Sequence, residues 1–335
     1  MPEPAPGSGP VRDPAQAAPD RRVTVVVITH NRRDQLLRTL DRLVALPERP
    51  EVVVVDNAST DGTPAAVAGR HPGVAVLTPG RNLGAPGRTL GVRYARTPYV
   101  AFCDDDSGWE PGSLARAADL FDRHGRLGLV AARVRVGDGG EDDPLNEVLA
   151  ASPLGSPGGP PGPRVLGFLA CAAVARRAAY LEAGGYHPLL FLGGEETLFA
   201  YDLLARGWDV RFCPEVVALH SPVGGVRPGR PAVQRRNAVV TALLRRPLPV
   251  ALRQARALAL DARRDPDARD ALRGVLARLP ATLRERRTLP PAVEAAARRV
   301  DLQGTAAGKA RPGRRARGGA SRRTSPRAGS SADHG

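Results

Sequence analysis

Aromatic side chains make up only 4% of the 335 residues, so a core must be built mainly from Val, Leu and Ala. The same scarcity leaves few platforms on which bases can stack, which disfavours a nucleic-acid groove. Cysteine is scarce too. Cys103, Cys171 and Cys213 stand far apart in apolar runs. That spacing excludes a disulfide framework or a zinc cluster and predicts reduced core thiols in a cytoplasmic protein. No stretch reaches about 18 uninterrupted apolar residues, so no membrane-spanning helix is expected. The opening MPEPAPGSGPVRDPAQAAPD lacks the apolar centre of a signal peptide. Acids are outnumbered: 34 Asp and Glu face 49 Lys and Arg, a net charge of +15. About half of that excess sits in residues 304–335, where Lys309 and seven Arg face Asp333. Such a tail cannot bury apolar surface and is expected to be disordered, with at most an attraction to anionic lipid.

The stretch around which the rest is organised is Tyr99-Val-Ala-Phe-Cys-Asp104-Asp105-Asp106. An apolar run of five with aromatic and branched residues reads as a buried strand. Three carboxylates at its end repel one another unless something positive lies among them. Either a hard divalent cation bridges Asp104 and Asp106 to phosphate oxygens, or the segment is a hydrated acidic turn capping the next helix. Upstream, Val23 to Thr29, Glu51 to Val55 and Val74 to Leu77 read as strands. Arg32 to Leu46, Thr63 to Gly69 (capped by Asp61) and Gly84 to Arg96 read as helices. Strands alternating with helices at this spacing call for a parallel sheet with helices on both faces. The first strand–helix turn is Thr29-His30-Asn31-Arg32, with no Gly-x-Gly-x-x-Gly, so a nicotinamide or flavin enzyme is disfavoured. Its polar side chains suit hydrogen bonds to a base or ribose, or simply turn chemistry. Asp56, after four valines, is placed to accept from a ribose hydroxyl or base N–H.

The ordered blocks ITHNR, VDNASTDGT, RNLGAPGRTLGVRYA and FCDDD resemble those of the family 2 glycosyltransferases over roughly residues 22–245. That resemblance implies the GT-A fold: a mixed, mainly parallel α/β sheet flanked by helices. It implies that Thr29, Asn31, Asp56 and Asn57 contact the nucleotide. It also implies that Asn82, Gly84 and Arg88 line the sugar-nucleotide pocket. Asp104 and Asp106 become the outer acids of a metal-binding Asp-x-Asp, with Asp104 also beside the nucleotide. Thr89 stands where the family usually carries Asn, and Arg88 on a helix surface is the alternative to a pocket residue.

Downstream, the run from Ser107 to Leu114 reads as a loop leading into a helix, Pro111 to His124, and Leu127 to Val136 reads as a strand. The Gly/Pro-rich residues 137–164 read as a flap over the acceptor side, or as disorder. Val165 to Ala175 reads as a strand and Arg176 to Ala183 as a helix. The run from Gly194 to Gly207 is similar to the family's Gly-Glu-Asp helix. Glu196 then stands in place of the base, and Glu195 is its competitor. Val210 to Phe212 and Val216 to Leu219 read as short strands, the second ending at His220, which the family commonly brings to the metal or diphosphate. Arg235, Arg236 and Asn237 either reach the diphosphate or, the preferred reading, lie on a helix surface.

The organisation expected is a leader over 1–21 and a GT-A domain over 22–230. That domain divides into a nucleotide half, 22–110, and an acceptor half, 111–230. A helical extension over 231–302 and a basic tail over 303–335 follow. The extension is free to dock on the domain, pair with a subunit or lie on an anionic membrane. The expected reaction is inverting transfer of a hexose or deoxyhexose from a UDP-, dTDP- or GDP-linked donor. The acceptor is a glycan, lipid-linked or small-molecule hydroxyl of bacterial cell-envelope glycan biosynthesis. Mg²⁺ or Mn²⁺ assists, and the location is cytoplasmic or peripheral at the inner membrane face. An inactive nucleotide-sugar-binding scaffold is the alternative; no specific nucleic-acid partner is expected.

Overall fold

The computed structural model describes residues 19–137, 140–222 and 229–309, with side chains to residue 303. Most of the expected leader and of the basic tail lies outside the described residues. In chain order the first elements are β1 (Val23–Thr29), α1 (Arg33–Val44), β2 (Glu51–Asp56), α2 (Thr63–Arg70), β3 (Ala75–Leu77), α3 (Arg88–Tyr94) and β4 (Tyr99–Asp104). Next come β5 (Ser107–Trp109), α4 (Ser113–Arg123), β6 (Leu127–Val136), β7 (Glu141–Asp142), α5 (Leu145–Ala150), β8 (Ala173–Arg176) and α6 (Arg177–Ala183). The chain continues through α7 (Glu195–Ala205), β9 (Asp209–His220), α8 (Arg230–Arg245), α9 (Leu248–Asp261), α10 (Pro266–Arg284) and α11 (Pro291–Lys309).

β1 is buried along its whole length, as expected of a strand covered on both faces. It lies between β2 and β4, both parallel to it, with β3 outside β2. Alternation along β1 sorts its side chains. Val25 and Val27 join one apolar cluster with Leu36 and Leu40 of α1 and Phe121 of α4. Val26 and Ile28 join another with Val92 of α3, Tyr180 of α6 and Phe199 of α7. The full order is β3-β2-β1-β4-β8-β6-β9-β5, with β7 on β6. β8 runs antiparallel to both β4 and β6, so a wholly parallel half of the sheet meets a mixed half.

Four expectations change. The apolar run Val165 to Ala175 is mostly irregular, and only Ala173–Arg176 is strand. A short run of small apolar residues has no period to separate a strand from a buried loop. The two short strands expected before His220 are one, β9, bulged opposite Ala132 and Arg133, next to Pro214. The residues after the acids form β5, which pairs antiparallel with β9 and sets Ser107 opposite His220. Finally, the Gly/Pro-rich stretch is neither flap nor disorder where described. Asn146 of α5 is tied to both backbone groups of Val134. Arg211, fully buried, donates to the carbonyls of Pro157 and Gly162.

The extension docks on α7. Leu198 of α7 packs with Val240 and Leu244 of α8, Leu258 of α9 and Val275 of α10. Tyr201 packs with Val293 and Ala297 of α11, which runs to Lys309, beyond the expected limit of 302. Buried Arg245 pairs with Asp202 of α7 at 2.6 Å, and within the extension buried Arg246 pairs with Glu294 of α11 at 2.6 Å.

Candidate active site

The parallel register puts Thr29 opposite Asp56 and Ile28 opposite Asp104, so β1, β2 and β4 end at one edge. At that edge ligands of open α/β sheets bind. The positive charge that the three acids require is supplied by two arginines. Arg32 donates to Asp105 Oδ1 at 3.2 Å and to Asp106 Oδ2 at 3.1 Å. Arg88 donates through Nη2 to Asp104 Oδ1. Arg88 is 1% exposed and lies over the Tyr186 ring, 5.6 Å from its centroid. The helix-surface alternative for Arg88 is therefore corrected. Gly91 lets α3 approach β1 so closely that a Cβ there would meet Val26 at 2.4 Å, and this carries Arg88 beneath the sheet edge.

The three acids differ. Asp105 is buried, receives Thr29 Oγ1 at 3.0 Å, and its backbone carbonyl accepts from Thr39. Burial, with the charges of Asp104 and Asp106, raises it to about 6 against the pull of Arg32 and Thr29. Asp106 lies 3.7 Å from His220 Nε2, a neighbour created by the β5–β9 pairing. Asp104 keeps part of its side chain open to solvent. Among the described residues no cluster of three metal-ligating side chains has formed. A carboxylate beside an imidazole does fit Mg²⁺ or Mn²⁺, which take few protein ligands and complete their shell with water and phosphate oxygens.

Several residues expected to touch the nucleotide are occupied with the chain itself. Asn31, at φ 53°, accepts from Thr60 N at 2.7 Å. Asn57 accepts from Leu83 N at 3.2 Å and donates to Gly84 O at 3.3 Å. Asn82 accepts from Gly84 N at 2.9 Å. Asn31 and Asn57 thus tie neighbouring loops together, and Asn82 closes its own turn. Asp56 is buried and among the described residues takes only the Ser59 N–H, at 3.2 Å and 3.3 Å. Gly84, at φ 65°, allows the 84–87 turn to approach the loop before α7, where Ala85 N donates to Phe191 O at 2.7 Å.

α7 begins at Glu195, after Gly194 at φ 87°. Glu195 is buried, and among the described residues its Oε2 has no hydrogen-bond partner. Burial, then the charge of Glu196, holds its carboxyl above the ordinary carboxylate range, with Arg88 opposing. Glu196 is half-buried and accepts from Ala170 N at 3.4 Å. Burial raises it as well, again against Arg88. Arg88 is thus the buried cation felt by the acids of both β4 and α7. Asn237 of α8, expected on a surface, is fully buried and donates to the carbonyls of Leu190, Leu192 and Gly193. It holds the loop that delivers the two glutamates. Only its place beside two arginines in an amphipathic helix marked it in the sequence.

Residues 24–182 match the family model described as glycosyl transferase family 2. An N-acetylglucosaminyl-diphospho-decaprenol L-rhamnosyltransferase of Mycobacterium tuberculosis is 29% identical over 234 residues, covering 58% of this chain and 75% of that one. An uncharacterized glycosyltransferase of Mycobacterium bovis is 37% identical over 101 residues, 30% of this chain and 44% of its own. GalNAc-T7, solved with UDP, GalNAc and Mn²⁺, is similar with a TM-score of 0.53 at 17% identity, over 67% of this chain and 48% of that one. The mannosyltransferase PcManGT from Pyrobaculum calidifontis, in complex with GDP-Man and Mn²⁺, gives 0.50 at 23% identity, over 90% and 84%. The shared fold is GT-A.

Proposed function

Starting from a chain whose residues 24–182 form a family 2 glycosyltransferase domain, we propose that it transfers a sugar from a nucleotide-sugar donor to an acceptor hydroxyl, with inversion. The observation that carries this reading is the sharing of buried Arg88 between Asp104, to which it donates, and Glu195, whose charge acts on it. On this reading a donor-side acid and the acids of α7 face one cleft.

In that cleft Asp106 and His220, with Asp104, would hold Mg²⁺ or Mn²⁺, which when bound supplies charge neutralisation for the departing diphosphate. Arg88 keeps Asp104 oriented and carries positive charge toward the same edge. Asp56, which takes the Ser59 N–H, accepts from the ribose or base. Glu196 takes the proton from the attacking hydroxyl: it is the more accessible acid, and the Ala170 N–H fixes one oxygen. Glu195 lies deeper, and burial holds its carboxyl above the ordinary carboxylate range. A single base and direct attack on the anomeric carbon give inversion.

The relative with a decaprenol-linked substrate supports a lipid-linked acceptor and a deoxyhexosyl donor, UDP-, dTDP- or GDP-linked. It also supports work at the inner face of the membrane. Among the described residues no helix is long and apolar enough to cross a membrane. Expected of Glu196→Gln is a fall in transfer of about 10² to 10⁴, with donor affinity by calorimetry nearly unchanged. If transfer survives there and dies in Glu195→Gln, the base assignment is wrong. The anomeric configuration of the product, read by NMR, tests inversion.

A further inference from the structure

Of the ten large hydrophobic side chains exposed among the described residues, six lie between Leu248 and Leu302, and all six are leucines. Three belong to α9: Leu248, Leu252 and Leu260, exposed by 49%, 55% and 47%. At about 100° per residue they fall, with Arg253 and Arg256, inside an arc of roughly 140°. Val250, Ala251 and Leu258 turn the other way and are buried, Ala251 and Leu258 against α8 and α10. Arg263 and Arg264 follow in the turn that ends the helix. These four arginines are exposed, and among the described residues none has an ion-pair partner. Neighbouring cations differ: Arg235 is paired with Asp265 and Arg273 with Asp270.

We propose that this face of α9 seats the protein on an anionic lipid surface. Single exposed leucines are ordinary. Three on one face of a 14-residue helix, interleaved with unpaired arginines, are the composition of a helix lying in a membrane interface. There the leucines enter the acyl boundary while the guanidinium groups reach lipid phosphates on apolar stems. An anionic bilayer supplies both complements at once. A second copy of this chain does not, because a two-fold contact through α9 would bring the same four cations together. Seating on lipid suits the lipid-linked acceptor proposed above without depending on it.

The test is sedimentation of the full chain with phosphatidylcholine vesicles, with and without phosphatidylglycerol, at low and high salt. Binding is expected to need the anionic lipid and to weaken with salt. The double variants Arg253→Glu with Arg256→Glu, and Leu252→Ser with Leu260→Ser, should each bind about tenfold more weakly or worse, given roughly 1 kcal/mol per cation near the surface. Circular dichroism and transfer to a soluble acceptor should be unchanged in both, which separates this surface from the chemistry of the site. Wild-type affinity in both variants would assign binding to the basic tail and overturn the proposal. So would equal binding to neutral vesicles, or a lipid-free dimer abolished by either variant.

Discussion

Charge balance at single residues decides what the acid-rich edge can do. Arg88 is buried with one hydrogen bond to Asp104, and among the described residues its Nε and Nη1 have no partner. Asp104 is partly open to solvent, so water can reach its charge once Arg88 is gone, at a cost nearer a surface pair's, about 0–1 kcal/mol. Arg88→Met should therefore lower the melting temperature only slightly and abolish donor binding. Arg88→Lys should restore less than half of either, because an ammonium lacks the planar fork. Glu195 makes the opposite prediction. Its raised pKa means that the folded protein keeps a proton which the unfolded chain releases above the ordinary carboxylate range. Stability from this group is then full in acid and declines as pH rises toward the folded pKa. Glu195→Gln should raise the melting temperature at pH 8 and change it little at pH 4. A larger gain at pH 4 would mean that the carboxylate is ion-paired instead.

At the scale of elements, the start of α7 is held from two sides. The 84–87 turn meets Phe191, and a Cβ on Gly84 would lie 2.3 Å from the Phe191 carbonyl oxygen, on a backbone at φ 65°. Gly84→Ala should push the two loops apart, weakening donor affinity at least tenfold in a titration while the far-UV spectrum stays native. On the other side Asn237 caps three carbonyls from within α8. Asn237→Ala leaves buried acceptors unmet, at about 1–3 kcal/mol. Because it acts through the loop that carries Glu195 and Glu196, it should lower kcat more than it weakens donor binding. Equal effects on both would reduce it to a stability residue.

Across the whole molecule, α7 joins the sheet to the helical extension. Phe199 faces the sheet cluster while Leu198 and Tyr201 face α8–α11. Breaking Asp202 from Arg245 should therefore cost as much as a core defect, about 3–5 kcal/mol, and reduce transfer although neither residue approaches the cleft. A melt of Asp202→Ala matching wild type would show that the extension docks without that pair. Chelation offers a test at the same scale: donor-induced thermal stabilisation should appear with Mn²⁺ or Mg²⁺ and vanish with EDTA, since a ligand stabilises only as far as it binds.

Read from residues alone, the parallel strands β1, β2 and β4 were legible nearly to their ends, because they are unbroken apolar runs that finish at Thr29, Asp56 and Asp104. Helical spacing likewise disclosed α1, and the resemblance marked the start of α7. Local pattern determines such features, since burial on both faces demands them. What no local pattern contains is which distant groups meet. The pairing of β5 with β9 that brings His220 to Asp106 came only from the folded chain. So did the burial of Arg88 against Asp104, and the reach of Asn237 into the loop before Glu195. Those contacts join segments far apart in the chain, and their free energy exists only once the sheet and the extension have closed around them.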